Sequence, residues 1–139
     1  MNAPLYTTEI LRLATSLQEP RALEREDSRA ELRSPTCGSR IILAVQLDPE
    51  GRVESVSQQV HACAFGQASA ALLERGAIGR SREDVNLALT QFTGWLGGSD
   101  EAPDWPGIST LAPARSRTSR HGAILLPFRA LLAAIESAR

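Results

Sequence analysis

Ile41-Ile42-Leu43-Ala44-Val45-Gln46-Leu47-Asp48-Pro49-Glu50-Gly51 is the stretch that decides the fold. Ile41, Leu43, Val45 and Leu47 alternate with Ile42, Ala44 and Gln46, a period of two that lines one face of a strand with apolar side chains. The alternation stops at Asp48-Pro49-Glu50-Gly51, residues that suit a tight turn. Arg52 to Val60 continues as a second strand with one less buried face, and the offset from Val53 to Val56 is that of a bulge. With the turn at 48–51, residues facing each other across the hairpin have numbers that sum to about 99. Cys37 then lies opposite position 62, next door to Cys63, with main chains about 5 Å apart if pairing runs that far.

Helical patterns flank the hairpin. From Tyr6 to Leu17, apolar residues Ile10, Leu11, Leu13, Ala14 and Leu17 recur at helical spacing behind a Thr7/Thr8 cap. Glu19 to Arg33 holds nine charged residues and Pro20 with only a few apolar ones, which predicts a solvated loop. From Ala64 onward, small residues with Leu72 and Leu73 predict a helix ending at Gly76 or Gly79. Ser81-Arg82-Glu83-Asp84 is a capping-box variant that opens another helix, closed by Gly97-Gly98. Residues 98–120 hold Gly98, Pro103, Pro106, Gly107 and Pro113 and predict a long irregular connection. The last helix is predicted from about Ala123 to Ser137, with Pro127 near its first turn, where a missing amide is tolerated. The 139 residues make one domain, 1–139, with 19–33 and 98–120 as its long loops.

Composition removes several classes of function. The chain carries 15 arginines and no lysine against 16 acidic residues, for a formal charge of -1. Lysine Schiff-base chemistry and a phosphate-loop lysine are therefore excluded, and neither the charge nor the 4% aromatic content provides a nucleic-acid footprint. Two cysteines in a chain that is 42% hydrophobic fit an ordinary core and not a disulfide scaffold, so the reducing cytoplasm is the expected compartment. Glu9, Arg12 and Glu19 interrupt any secretory signal, and no apolar run is long enough for a membrane span. No nucleophile elbow, metalloprotease or phosphate-loop motif frames Ser39, Ser69 or Thr118, so the chain is not expected to be an enzyme.

The thiols and imidazoles are Cys37, Cys63, His61 and His121. Two thiols brought to one end of a ladder can bind a soft metal, form a disulfide, or sit side by side as inert core, and composition alone does not choose. Cys37 lies in the turn-like stretch Ser34-Pro35-Thr36-Cys37-Gly38-Ser39, which can present a thiol and backbone amides to a ligand. In extended chain His61 and Cys63 point the same way, making His61 a weaker further ligand; it reads more simply as an exposed residue at a strand end.

Pro35-Thr36-Cys37-Gly38, the hairpin, Ala62-Cys63-Ala64-Phe65-Gly66-Gln67-Ala68-Ser69, and the apolar entry Ile124-Leu125-Leu126-Pro127-Phe128 together resemble the scaffold proteins of iron–sulfur cluster assembly, the NifU N-terminal, IscU and SufU family. The resemblance runs from Leu5 to about Ile135. It implies an α+β fold, IscU/SufE-like: a small antiparallel sheet of the hairpin at about 40–60, with a third strand near 30–35, packed against N-terminal and C-terminal helices. It also implies a function: transient assembly or relay of an iron–sulfur cluster, with a cysteine desulfurase delivering persulfide sulfur to Cys37 or Cys63 and apo iron–sulfur proteins or a carrier receiving the product.

This sequence departs from the family pattern twice. Ser39 stands where the family has the Asp of its first motif, an oxygen ligand linked to cluster release. The family's third Cys, just before the last helix, is replaced by Gly122 or Ala123, depending on a one-residue shift. His121, one or two residues away, reads either as the substitute ligand, giving Cys37, Cys63 and His121 with a fourth position open, or as a loop histidine at the basic edge of the last helix. Thiolate and imidazole suit both zinc and an iron–sulfur cluster. Two other readings stay open: a SufE-like sulfur acceptor that activates a desulfurase through one thiol, and a zinc-binding adaptor without cluster chemistry.

Arg115, Arg117, Arg120 and Arg129 have no acidic residue among them from Pro106 to Ile135, a run that reads as a solvated face or as guanidinium forks for carboxylate-rich protein surfaces or phosphates. Leu111-Ala112-Pro113-Ala114-Arg115 is similar to the Leu-Pro-Pro-Val-Lys segment by which some scaffolds engage a chaperone, and is read here as loop.

Overall fold

A computed structural model describes residues 6–35 and 38–138. The elements follow in the order α1 (Thr8–Thr15), β1 (Ser28–Arg33), β2 (Arg40–Leu47), β3 (Val53–His61), α2 (Ala64–Ala77), α3 (Arg82–Leu96), two 3-10 helices (Ile108–Ser116 and Thr118–Arg120) and α4 (His121–Ser137). The strands form one antiparallel sheet in the order β1-β2-β3. On one face, α4 lies against β1 and β2 while α2 packs on β3 and α4; α1 covers α2, and α3 covers α4. The α+β class and the third strand stand as expected.

The hairpin forms where the alternation placed it. Ile41, Leu43 and Val45 are fully buried on the helical face. Asp48 O accepts the Gly51 amide at 2.9 Å, and the Asp48 carboxylate accepts the amides of Glu50 at 3.0 Å and Arg52 at 2.9 Å. Gly51 has φ 82°, which glycine adopts without steric cost. The register differs from the arithmetic: partners sum to 101, as in Arg40 with His61, and not 99. One residue of the difference comes from the turn, which encloses Pro49, Glu50 and Gly51 between Asp48 and Arg52. The other is Glu54, an extra residue between the pairs Gln46 with Ser55 and Leu47 with Val53, at the expected bulge.

Three boundaries move. The predicted loop at 19–33 ends in β1, where Ser28, Ala30 and Leu32 are half-buried and Arg29, Glu31 and Arg33 are exposed; charge on the outer positions hid the alternation. The long connection at 98–120 winds into 3-10 turns from Ile108, with Trp105 just before them inserted into the core and donating to Leu72 O at 2.8 Å. The last helix begins at His121, so Pro127 lies inside it and not in its first turn. Pro127 has no N–H to give to the Ala123 carbonyl, and that carbonyl faces Gly66 of α2. The following carbonyl, Ile124 O, takes the buried Ser69 hydroxyl at 2.5 Å.

Residues 18–27 cross the other face of the sheet as a strap. Its amides are met by side chains of the sheet: Arg21 N–H by Ser57 Oγ at 2.8 Å and Arg25 N–H by Gln46 Oε1 at 2.9 Å.

The expected capping box at α3 is present. Ser81 Oγ accepts the Asp84 amide at 3.1 Å and the Asp84 carboxylate accepts the Ser81 amide at 2.9 Å. The bond from the Ser81 amide is the main cause holding the Asp84 carboxyl below its ordinary value, helped by Arg52 and Arg80. A carboxyl lowered in the folded state stabilises above its unfolded value, and that contribution is lost as pH falls through the folded one. The melting temperature is therefore expected to fall over the acid range by more in the parent chain than in Asp84→Asn, as followed by circular dichroism.

Candidate functional site

One end of the sheet gathers the residues of interest. β1 and β2 are joined by a turn closed by Ser34 N–H to Ser39 O at 2.8 Å and Gly38 N–H to Ser34 O at 3.1 Å. Cys37 lies outside the described residues, between Pro35 and Gly38 of this turn. Ser39, which stands at the family's Asp, is buried. On the neighbouring strand the ladder ends at Arg40 with His61, short of both cysteines. Among the described residues the ladder does not reach Cys63, which is placed by the start of α2.

Cys63 is the N-cap of α2. Its backbone is extended, with φ -65° and ψ 173°, its carbonyl accepts the Gln67 amide at 3.0 Å, and its side chain makes no capping bond. The thiol is free and half-buried. Three residues on, Gly66 provides the close approach to α4: a Cβ there would stand 2.6 Å from Ala62 Cβ, 3.3 Å from Ala123 O and 3.4 Å from Ala123 Cβ. The starts of α2 and α4 thus abut, and the Gly122-Ala123 step at the family's third-Cys position lies at the same junction as Cys63. Neither helix has a carboxylate in its first turn, so two positive helix ends meet there without a compensating charge.

His121 opens α4. Its Nε2 lies 3.0 Å from Ala114 O and 3.1 Å from Arg115 O. Two carbonyls accept and cannot donate, so Nε2 carries the proton and Nδ1 keeps its lone pair. A backbone carbonyl on the remote nitrogen is how ligating histidines are held in one tautomer and orientation. His61 is exposed at the end of β3, with Nε2 3.3 Å from Gln59 Nε2. Among the described residues, no three His, Cys, Asp or Glu side chains stand close enough to hold a metal, so His61, Cys63 and His121 do not form a set by themselves.

Other sequence signals resolve into structure. In the chaperone-like segment, Leu111 and Ala114 are fully buried, and Arg115 lies 4.9 Å over the Trp95 ring while donating to Trp95 O at 2.9 Å and Ser99 O at 2.7 Å. Sequence reasoning named Gly66 and Ser69 within the motif, and Ser69 as a hydroxyl without a catalytic frame, but did not give either its role in seating α2 on α4. Their spacing of three on one helix face, in small residues, was the available signal.

What the fold and the site define is a small α+β domain that presents a cysteine at a helix start, beside the start of a second helix. The chain belongs to the family described as the NifU-like N terminal domain, whose pattern matches residues 5–103 and so includes both cysteines but stops short of His121. Among solved structures it is similar to a nitrogen-fixing NifU-like protein (N-terminal) from Brucella abortus, with 28% identity and a TM-score of 0.86 over 96% of this chain and 94% of that one. A protein from Fervidobacterium islandicum assigned as an iron–sulfur cluster assembly scaffold for the SUF system shares the fold at 19% identity, with a TM-score of 0.81 over 94% of this chain and 96% of that one. No curated protein sequence gives a match. No helix among the described residues is long and apolar enough to cross a membrane.

Proposed function

We propose that this chain is a scaffold and not an enzyme: it holds iron and sulfide, or an assembled cluster, as cargo between a cysteine desulfurase and apo iron–sulfur proteins or a carrier. The ligands it supplies are Cys37, Cys63 and Nδ1 of His121, with a fourth position left to substrate or partner. One observation carries this reading: an uncapped helix start is occupied by a half-buried free thiol, and the helix start that abuts it carries a histidine whose Nε2 is taken up by two carbonyls, which leaves Nδ1 of the neutral ring as acceptor. Thiolate and imidazole are donors for an iron–sulfur cluster, and for zinc as the competing occupant. Sulfur transfer itself is redox-neutral: a thiolate of this chain attacks the outer sulfur of the donor's persulfide, the donor's S–S bond breaks, and its thiolate leaves. Release of that sulfur as sulfide then takes two electrons from an external reductant such as an electron-transfer protein, which regenerates the thiolate.

Anaerobic purification, reconstitution with ferrous iron and sulfide, and measurement of iron, sulfide and zinc test the reading. The expected product absorbs in the visible and contains iron and sulfide. In His121→Ala its retention falls by roughly tenfold or more, while the melting temperature changes by much less than a core truncation would cause, because what is lost is the half-buried ring's contact with two carbonyls. A chain that takes up one tight zinc and never forms a visible-absorbing species refutes the scaffold role.

A second reading is favoured by Gly122 and Ala123, which offer no ligand atom at the junction. It is a SufE-like acceptor that relieves a desulfurase of sulfur on one thiol. It predicts that one of Cys37→Ser and Cys63→Ser still stimulates the desulfurase fully.

A further inference from the structure

Acidic residues are segregated along the sheet axis although the total charge is near zero. No acidic residue occurs in 32–47, 55–73 or 105–135, the stretches that supply the β1–β2 turn, the ends of the central ladder, and the starts of α2 and α4. The opposite end holds Asp48, Glu50, Glu54, Glu83, Asp84 and Glu136. Its place is fixed by Arg52 to Asp84 at 3.4 Å and Arg82 to Glu136 at 3.6 Å.

At the Cys63 end, Arg33 and Arg40 face each other across the β1–β2 ladder beside its turn, Arg40 pairs with His61 on β3, Arg120 caps α4, and Arg117 precedes it. Among the described residues their one ion-pair partner is Glu31, which lies 3.9 Å from both Arg33 and Arg40 and is itself half exposed, so it neutralises little. Among the described residues Arg117 and Arg120 enter no ion pair.

We propose that Arg33, Arg40, Arg117 and Arg120 form a docking rim for a partner protein, which they recognise through a carboxylate-rich surface. All four are guanidiniums, whose planar forks match carboxylates in pairs. Nucleic acid fits less well, because every Trp and Phe is buried and Tyr6 is half-buried, so no indole, phenyl or phenol ring stands exposed as a platform for bases. What the docking is for rests on the scaffold reading; the contact itself does not.

Fluorescence anisotropy with a labelled oligo-glutamate peptide tests the rim. The parent chain is expected to bind at low salt and release as salt rises. Replacing the four arginines by Gln weakens binding by roughly tenfold, whereas Arg12→Gln with Arg75→Gln, on α1 and the far half of α2, changes it by less than about twofold. Single Gln variants, each giving a partial loss, serve if the fourfold variant melts early. The proposal falls if the parent does not bind the peptide, if the rim and control variants bind alike, or if oligothymidylate binds more tightly through the same arginines. Cluster loading of the rim variant separates the two readings. Loading kept with peptide binding lost supports the rim as a docking surface; peptide binding kept with no loading in the parent refutes the scaffold role and leaves the rim standing.

Discussion

The Cys63→Ser chain is expected to lose bound iron, sulfide and zinc to background while folding as well as its parent. Cys63 holds the N-cap position of α2 with the right backbone but the wrong side chain: the helix starts there, and no side-chain bond takes up its free amides. Serine is among the best residues for that position, since its Oγ accepts an amide two or three residues on, worth up to ~1 kcal/mol over a non-capping residue. Against this stands the loss of the thiol's partial packing on the core. The net change in stability is about 1 kcal/mol or less in either direction, a few degrees at most in melting temperature. Separation of the two effects is the informative outcome. A Cys63→Ser chain that keeps its metal at the parental level removes Cys63 from the ligand set.

Phe128→Ala is expected to give the largest loss of stability, about 3–5 kcal/mol. Phe128 is fully buried on α4 and meets the edges of two rings from other elements, Phe92 on α3 at 5.1 Å and Trp105 in the connection at 4.9 Å. Truncation leaves a cavity among three elements and removes both ring contacts. The loss is a large share of the ~5–15 kcal/mol that holds a domain of this kind. Thermal or urea unfolding measures it, and tryptophan emission shifting to the red reports whether Trp105 is released. A loss under about 1 kcal/mol contradicts the central role given to this cluster.

The parts of the fold that could be read in the sequence were those governed by local rules. The period of two at Ile41 to Leu47, the turn at Asp48 to Gly51 and the box of Ser81 with Asp84 each have a mechanism within a few residues. β1 was expected from the family resemblance and not from its own pattern, because Arg29, Glu31 and Arg33 occupy its solvent positions and mimic a charged loop. The register went astray because two one-residue irregularities, the three-residue turn and Glu54, add in the same direction. Trp105 gave a signal, an aromatic within a run of Pro and Gly, but its partner Phe128 is distant in sequence. At the site, the sequence identified Cys63 and His121 as chemically apt. It could not show that Gly66 and Ala123 set the spacing of the two helix starts, because that contact exists only once α2 and α4 are packed. Of the arginines it singled out, Arg115 is used internally on Trp95, while Arg33 and Arg40 joined Arg117 and Arg120 only through the sheet.

The strap at 18–27 bears on how the molecule opens. From Gln18 to Arg25 it is held to the sheet through the Ser57 and Gln46 side chains and the Arg25 guanidinium on Leu47 O. Main-chain pairing begins only at its last residue, where Asp27 N–H donates to Val45 O, so residues 18–25 can lift off while β1, β2 and β3 stay paired. Such a segment behaves as a separate unit of local unfolding. The amides of Arg21 and Arg25 then exchange with solvent well before those of Ile41 to Val45, and the outer face of the sheet is uncovered each time they do.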